Sequence, residues 1–149
     1  RPPPTLRHNR RPPLRPAPAP PRETSDVNGQ DTHRAPARLV PAEQLNPSMV
    51  RRMVHGDRVL VADMRFKDGF VVPLHQHVNE QVTLVKSGTI RFRLGAGREQ
   101  VIDVRPGEVL VIPSNLPHEA QMIGDVEEMD VFTPLREDWL GGTDDYLRR

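Results

Sequence analysis

Residues 69–88 read GFVVPLHQHVNEQVTLVKSG, and residues 107–120 read GEVLVIPSNLPHEA. In the first stretch His75 and His77 are two positions apart, so on a strand both imidazoles point to the same face. Gln81 follows after a short irregular step. In the second, His118 ends an apolar run punctuated by Pro113, Asn115 and Pro117, where a strand stops, turns and restarts. Three imidazoles and one amide oxygen placed this way can converge on a single ion. The two stretches together are read as a metal site carried by a small β-barrel.

The text around them supports that reading. Candidate strands run over 59–66, 70–77, 82–86, 89–94, 100–104, 109–112, 118–123 and 128–132, with turn signals between them at Lys67-Asp68-Gly69, Ser87-Gly88, Gly95-Ala96-Gly97, Arg105-Pro106-Gly107 and Gly124-Asp125. Many short strands without a helical period argue for an antiparallel sandwich or barrel. Alternation sends Pro73, His75 and His77 inward, with Gln81, Thr83 and Val85, and with His118, Ala120 and Met122. Val82 and Leu84 on the opposite face are apolar too, as is the run 109–112 on both faces. Outer faces of that kind need cover, so a homodimer is expected.

Composition bounds the rest. The chain has 149 residues, enough for one domain with one core. Ten of its 17 prolines precede Ala37, in a segment nearly devoid of large apolar side chains. Residues 1–37 are therefore expected to be a disordered Pro/Arg-rich extension, dispensable to the domain, because they cannot bury enough surface to offset their ordering entropy. The β domain is placed at 38–135, and a short helical segment with a polar tail at 136–149. Trp139 and Leu140 are expected to pack on the outside of the barrel. Net charge is +1 overall but +5 over residues 1–38, which leaves the folded part at −4 and gives no support for nucleic-acid binding. With no cysteine, disulfides and thiolate metal sites are excluded, and the expected compartment is a reducing cytoplasm. No apolar run is long enough to span a membrane, and no membrane partner is expected.

The spacings resemble those of the cupin family. Its first motif is a glycine, five residues, His-x-His, three or four residues, an acidic or amide ligand, six residues and a glycine; Gly69, His75, His77, Gln81 and Gly88 meet it. In its second motif Gly107, Pro113 and His118 match, with Asn115 where the family carries glycine and Met122 where it carries Asn. Asn is among the few other residues that accept a positive φ. The resemblance covers about residues 57–134. It implies an RmlC-like double-stranded β-helix, the cupin jelly roll, holding one divalent ion per chain (Zn, Ni, Mn, Fe or Cu) through His75, His77, Gln81 and His118. Gln81 replaces the commoner glutamate, which leaves the full +2 on the ion and makes it a stronger Lewis acid. Glu80 next door points the other way on a strand in phase with Gln81.

Beyond the second motif, DVFTPLREDWL resembles a narrower subset, the pectin-degradation cupins of the KdgF type, which linearise cyclic unsaturated uronates. That resemblance implies catalytic roles for Asp130, Phe132 and Arg136: a proton carrier, an apolar wall and a carboxylate clamp. An internal ion pair closing the strand end is the competing reading of the same residues. The expected function is isomerisation or ring opening of a small oxygenated substrate, of sugar-acid or dicarbonyl type. A metal-dependent dioxygenase or polyketide-cyclase-type cupin and a non-catalytic binding cupin are the alternatives. Arg91 and Arg93 are read as a solvated or intersubunit edge, and His8, His33 and His55 as uninvolved.

Overall fold

The computed structural model describes residues 23–27, 30–34 and 40–149. Most of the expected disordered extension, residues 1–37, lies outside the described residues. Within it, β1 (Glu23–Val27) and β2 (Gln30–Arg34) pair as an antiparallel ribbon, which the composition did not predict. Residues 40–149 form a separate compact unit.

That unit is an antiparallel sheet folded over on itself. Its strands are β3 (Glu43–Asn46), β4 (Met49–His55), β5 (Leu60–Phe66), β6 (Val71–His75), β7 (Glu80–Leu94), β8 (Gln100–Val104), β9 (Val109–Ile112) and β10 (His118–Thr133). The pairing order is β3-β4-β5-β10-β7-β8, with β6 on β10 and β9 on β7. The first half of β10 pairs β6, its second half pairs β5, and β7 divides likewise between β9 and β8. These two long strands therefore run through both halves of a jelly-roll barrel, whose inner faces share one core including Leu60, Met64, Ile90, Phe92, Met122 and Phe132.

Two expected turns are bends inside those long strands. Ser87-Gly88 and Gly124-Asp125 lie within β7 and β10, where the register slips between Ile123 and Glu127 and again between Glu127 and Glu128. The two irregularities face each other: a Cβ on Gly88 would come within 2.5 Å of the Asp125 carbonyl oxygen and 2.7 Å of Val126, and Gly88 has φ +73°. Only glycine fits there, so turn chemistry was read correctly and its consequence was not. A second departure is β6. Pro73 is exposed and Val72 buried, because a bulge opposite Glu119 shifts the phase between Val72 and His75. β3 and β4 were missed altogether, since MVRRMVH places Arg51 on an inward position.

The C-terminal segment, with α1 (Glu137–Leu140) and a 3-10 turn (Asp145–Leu147), crosses back to the barrel. Trp139 does not pack outside, as expected, but is 5 % exposed and lines the interior. It lies edge-on to Phe132 at 4.9 Å, with the Arg51 and Arg136 guanidinium groups each 4.5 Å from its ring. Leu140 is the exposed one of the pair.

Candidate metal centre

His75 ends β6, His77 lies in the loop after it, Gln81 is the second residue of β7 and His118 opens β10. His75 and His118 are register partners on adjacent strands. The loops carrying the two stretches are tied together, with the Asn115 N–H donating to the His77 carbonyl at 2.8 Å. Asn115 has φ +61°, the conformation expected of a residue standing in for glycine. The result is a cluster in which His75, His77 and His118 each offer a ligand atom within 4.8 Å of the others.

The backbone fixes the tautomer of all three rings. Each Nδ1 faces a carbonyl oxygen: Pro73 for His75 at 2.8 Å, Asn79 for His77 at 3.0 Å and Leu116 for His118 at 2.7 Å. A carbonyl only accepts, so each Nδ1 carries the proton and each Nε2 keeps a lone pair. Gln81, 7 % exposed, brings its Oε1 to 3.2 Å from His77 Nε2, while Glu80 is exposed, in the phase alternation predicts. His118 Nε2 is buried without a hydrogen-bond partner among the described residues. Several electron-pair donors thus face one another with no donated hydrogen between them, an arrangement unfavourable on its own and complementary to a cation. The donor set fits a divalent ion.

Electrostatics agree. Burial, with neighbouring His118 and the charge of Arg136 adding to it, lowers His75 to about 3. Burial and Arg136 bring His77 to about 4, and His118 is lowered by burial as well. His75 and His77 therefore stay neutral and ligand-competent well below pH 7, and the shift of His118 runs in the same direction.

Behind the cluster lies a second group. Thr83 and Asp130 are register partners on the inner faces of β7 and β10, and Glu128 precedes Asp130 on the same face. The Thr83 hydroxyl donates to Asp130 Oδ1. Burial, with the adjacent charge of Asp130, pushes Glu128 well above the usual carboxylate range. Burial also raises Asp130, to about 6, against hydrogen bonds from Thr83, Gln81 and Glu128 that lower it. Sequence reasoning missed Glu128. The signal was available in VEEMDVF, where Glu128 and Asp130 share the phase of Val126 and Phe132.

Arg136 is 2 % exposed, stacked near Phe132 at 5.0 Å, and gripped by Asp138 through Nε at 2.9 Å and Nη2 at 2.7 Å. Its Nη2 also donates to the Tyr146 hydroxyl at 2.6 Å. Arg136 is thus ion-paired with Asp138, outside the stretch from Asp130 to Arg136 to which the competing reading assigned an internal pair, and Nη1 is left without a hydrogen bond among the described residues. Phe132 lies edge-on to His77 at 5.7 Å. Tyr146, also missed, stacks 4.9 Å from His75.

These residues separate two spaces. An outer basin of about 380 Å³ is lined by His75, His77, Asn79, Leu135, Arg136 and Tyr146 among others. An inner cavity of about 40 Å³ is bounded by His75, Gln81, His118, Glu128, Asp130 and Phe132 with apolar neighbours. Arg91 and Arg93 lie elsewhere, paired with Asp103 and with Glu119 and Gln121. His55 is exposed, and its Nδ1 lies 3.0 Å from the next residue's carbonyl oxygen.

Residues 62–133 match the Cupin_2 family model, described as a cupin domain. No curated protein matches the chain by sequence. Among solved structures, KdgF from Halomonas sp. superposes with a TM-score of 0.61 at 24 % identity, over 66 % of this chain and 90 % of that one. An RmlC-like cupin from Shewanella frigidimarina gives 0.66 at 20 %, over 78 % and 97 %. A mutant of Bacillus subtilis oxalate decarboxylase gives 0.57 at 23 %, over 68 % of this chain but 31 % of that longer one. At these identities the likeness is one of fold. No helix among the described residues is long and apolar enough to cross a membrane.

Proposed function

This chain belongs to the cupin superfamily through the domain of residues 62–133, and from that premise we propose that it is a metal-dependent enzyme that isomerises or ring-opens a small oxygenated substrate of sugar-acid or dicarbonyl type. The observation that carries this reading is the donor set: three neutral imidazoles and an amide oxygen, with no carboxylate, opening on a basin of about 380 Å³. His75, His77 and His118 through Nε2 and Gln81 through Oε1 would hold one divalent ion per chain. Such an ion supplies Lewis-acid polarisation of a substrate oxygen, undiminished by any ligand charge.

The protein's own groups complete the site. Arg136 is held by Asp138 and Tyr146 with Nη1 left over, which suits it to orient a substrate carboxylate at the basin. Phe132, edge-on to His77, supplies an apolar wall. Asp130, raised to about 6, holds or releases a proton near neutral pH on the inner side of the same cluster.

The test is incubation of metal-loaded protein with cyclic unsaturated uronates, followed by NMR for the open keto form. Asp130→Asn is expected to lower kcat by about 10²- to 10⁴-fold, the usual worth of a positioned proton carrier. Bound but unchanged uronates and dicarbonyls would mean a binding protein instead. Oxygen consumption by iron- or copper-loaded protein would move it to the oxygenases.

The homodimer expected from the outer face gains support from the strand register. Val54, Val61, Val131, Val82 and Val111 are successive partners across five strands, a transverse band on the outward face. The next row brings Met129, Leu84 and Val109 alongside. Val54, Val109 and Val111 are each more than half exposed. A second copy laid across this band by a two-fold axis would bury it against itself. Val82→Glu with Val131→Glu should give a folded monomer by analytical ultracentrifugation; a wild-type chain that is monomeric at high concentration would dispose of the idea.

A further inference from the structure

An amide has two ends, and only one of them can serve a cation. What decides the orientation of Gln81 is the hydrogen-bond chain running away from the histidines. The Thr83 hydroxyl carries one hydrogen and gives it to Asp130 Oδ1. Its oxygen can then only accept, so the group facing it must be a donor. Gln81 Nε2 fills that position at 2.9 Å, which turns Oε1 towards His77. The members are 0 % exposed at Thr83, 3 % at Asp130 and 7 % at Gln81, so water does not compete for these bonds. Gln81 and Thr83 are two apart on the inner face of β7, Glu128 and Asp130 two apart on that of β10, and Thr83 and Asp130 are direct cross-strand partners.

We propose that Thr83 and Asp130 form a positioning chain that presents Gln81 to the ion oxygen-first, with Thr83 as the residue that selects the end of the amide. The inference rests on the reading of Gln81 as a metal ligand. It also accounts for the amide at this position. A glutamate there would have no hydrogen to give Thr83, whose single hydrogen would face two carboxylates, and it would add a third acidic group beside Asp130 and Glu128. The chain is matched to glutamine.

Cobalt(II) alone is a sufficient probe, because its visible absorption reports the ligand set without any substrate. Thr83→Val keeps the shape and removes the hydroxyl; Thr83→Ser keeps the hydroxyl. Thr83→Val is expected to weaken cobalt binding about 10- to 100-fold, the usual effect of losing an outer-shell partner, and to shift the spectrum towards that of Gln81→Ala. Thr83→Ser should restore both. A Thr83→Val protein with wild-type affinity and spectrum, beside an altered Gln81→Ala, would overturn the positioning chain and leave Gln81 as a ligand. An unaltered Gln81→Ala would overturn the chain together with the ligand reading. Thermal unfolding of the metal-free variants checks that each is folded, and Thr83→Ala replaces Thr83→Val in the same comparison if the latter is not.

Discussion

His118→Ala is expected to weaken divalent-metal binding by more than about 100-fold, beyond the roughly 10- to 100-fold that loss of an outer-shell partner costs. The ring is 2 % exposed, its Nδ1 is committed to Leu116, and its buried Nε2 meets no hydrogen-bond donor. Nothing among the described residues uses that lone pair, and truncation removes one of three imidazole donors. Metal-induced stabilisation gives the readout. An ion at 100 times its Kd adds about 2.7 kcal/mol to wild type, whereas a site 100-fold weaker gains about 0.4 kcal/mol at the same concentration. The acid response should change in parallel. Folded His77 and His75 lie at about 4 and about 3, below the roughly 6.5 of an unfolded imidazole. As pH falls the unfolded chain therefore takes up protons first. The stability due to neutral buried rings is complete above about pH 6.5 and is lost progressively as pH drops through the folded values. With one buried ring fewer, metal-free His118→Ala should lose stability less steeply over that window. Wild-type metal affinity in this variant would remove the three-histidine cluster as the metal site.

The cluster was legible because its signal is local. A His-x-His pair, a glutamine four residues on and a histidine among prolines are read from spacing, and strand alternation placed Gln81 inside and Glu80 outside without any knowledge of the neighbours. The bends at Gly88 and Gly124 were not legible as bends, because a glycine in a turn and a glycine at a strand corner look alike until the opposing backbone is known. Arg51 concealed β4 for a related reason. An arginine on an inward position reads as a break in the pattern unless its partner is visible, and that partner, Asp144, is 93 residues away. Trp139 was misplaced by the same blindness to distance. A four-residue helix with a lone tryptophan has no period to show which way it faces, and its position is set by two arginines, one of them on β4. Glu128 differs, since its phase beside Val126 and Phe132 already pointed inward.

Asp144→Ala should destabilise the domain by about 3–5 kcal/mol, the cost of stranding one member of a buried ion pair. Arg51 and Asp144 are both fully buried, with Arg51 Nη1 donating to Asp144 Oδ2 at 2.7 Å. The pair belongs to a closed ring of four charges. Arg51 also reaches Glu43 at 3.0 Å, Arg148 reaches Glu43 at 2.8 Å, and Arg148 Nε donates to Asp144 Oδ1 at 2.7 Å. Removing Asp144 leaves the Arg51 guanidinium against the Trp139 ring with only half-exposed Glu43 as counter-charge, and Arg51 Nε is already unpartnered. Such a charge can regain water only if the C-terminal segment lifts. That segment carries Tyr146, which braces Arg136, and Leu147, whose carbonyl is held by Asn46 at 2.7 Å. Chemical denaturation measures the loss, and replacing both partners at once, Arg51→Leu with Asp144→Leu, should cost less than Asp144→Ala alone because no charge is left stranded. A loss below about 1 kcal/mol for the single variant would class the pair with surface ion pairs and detach the C-terminal strap from the stability of the barrel. If the larger loss is found, the ring holds the strap in place, and the seat of Arg136 and Tyr146 at the basin depends on four charged residues, none of which is among His75, His77, Gln81 and His118.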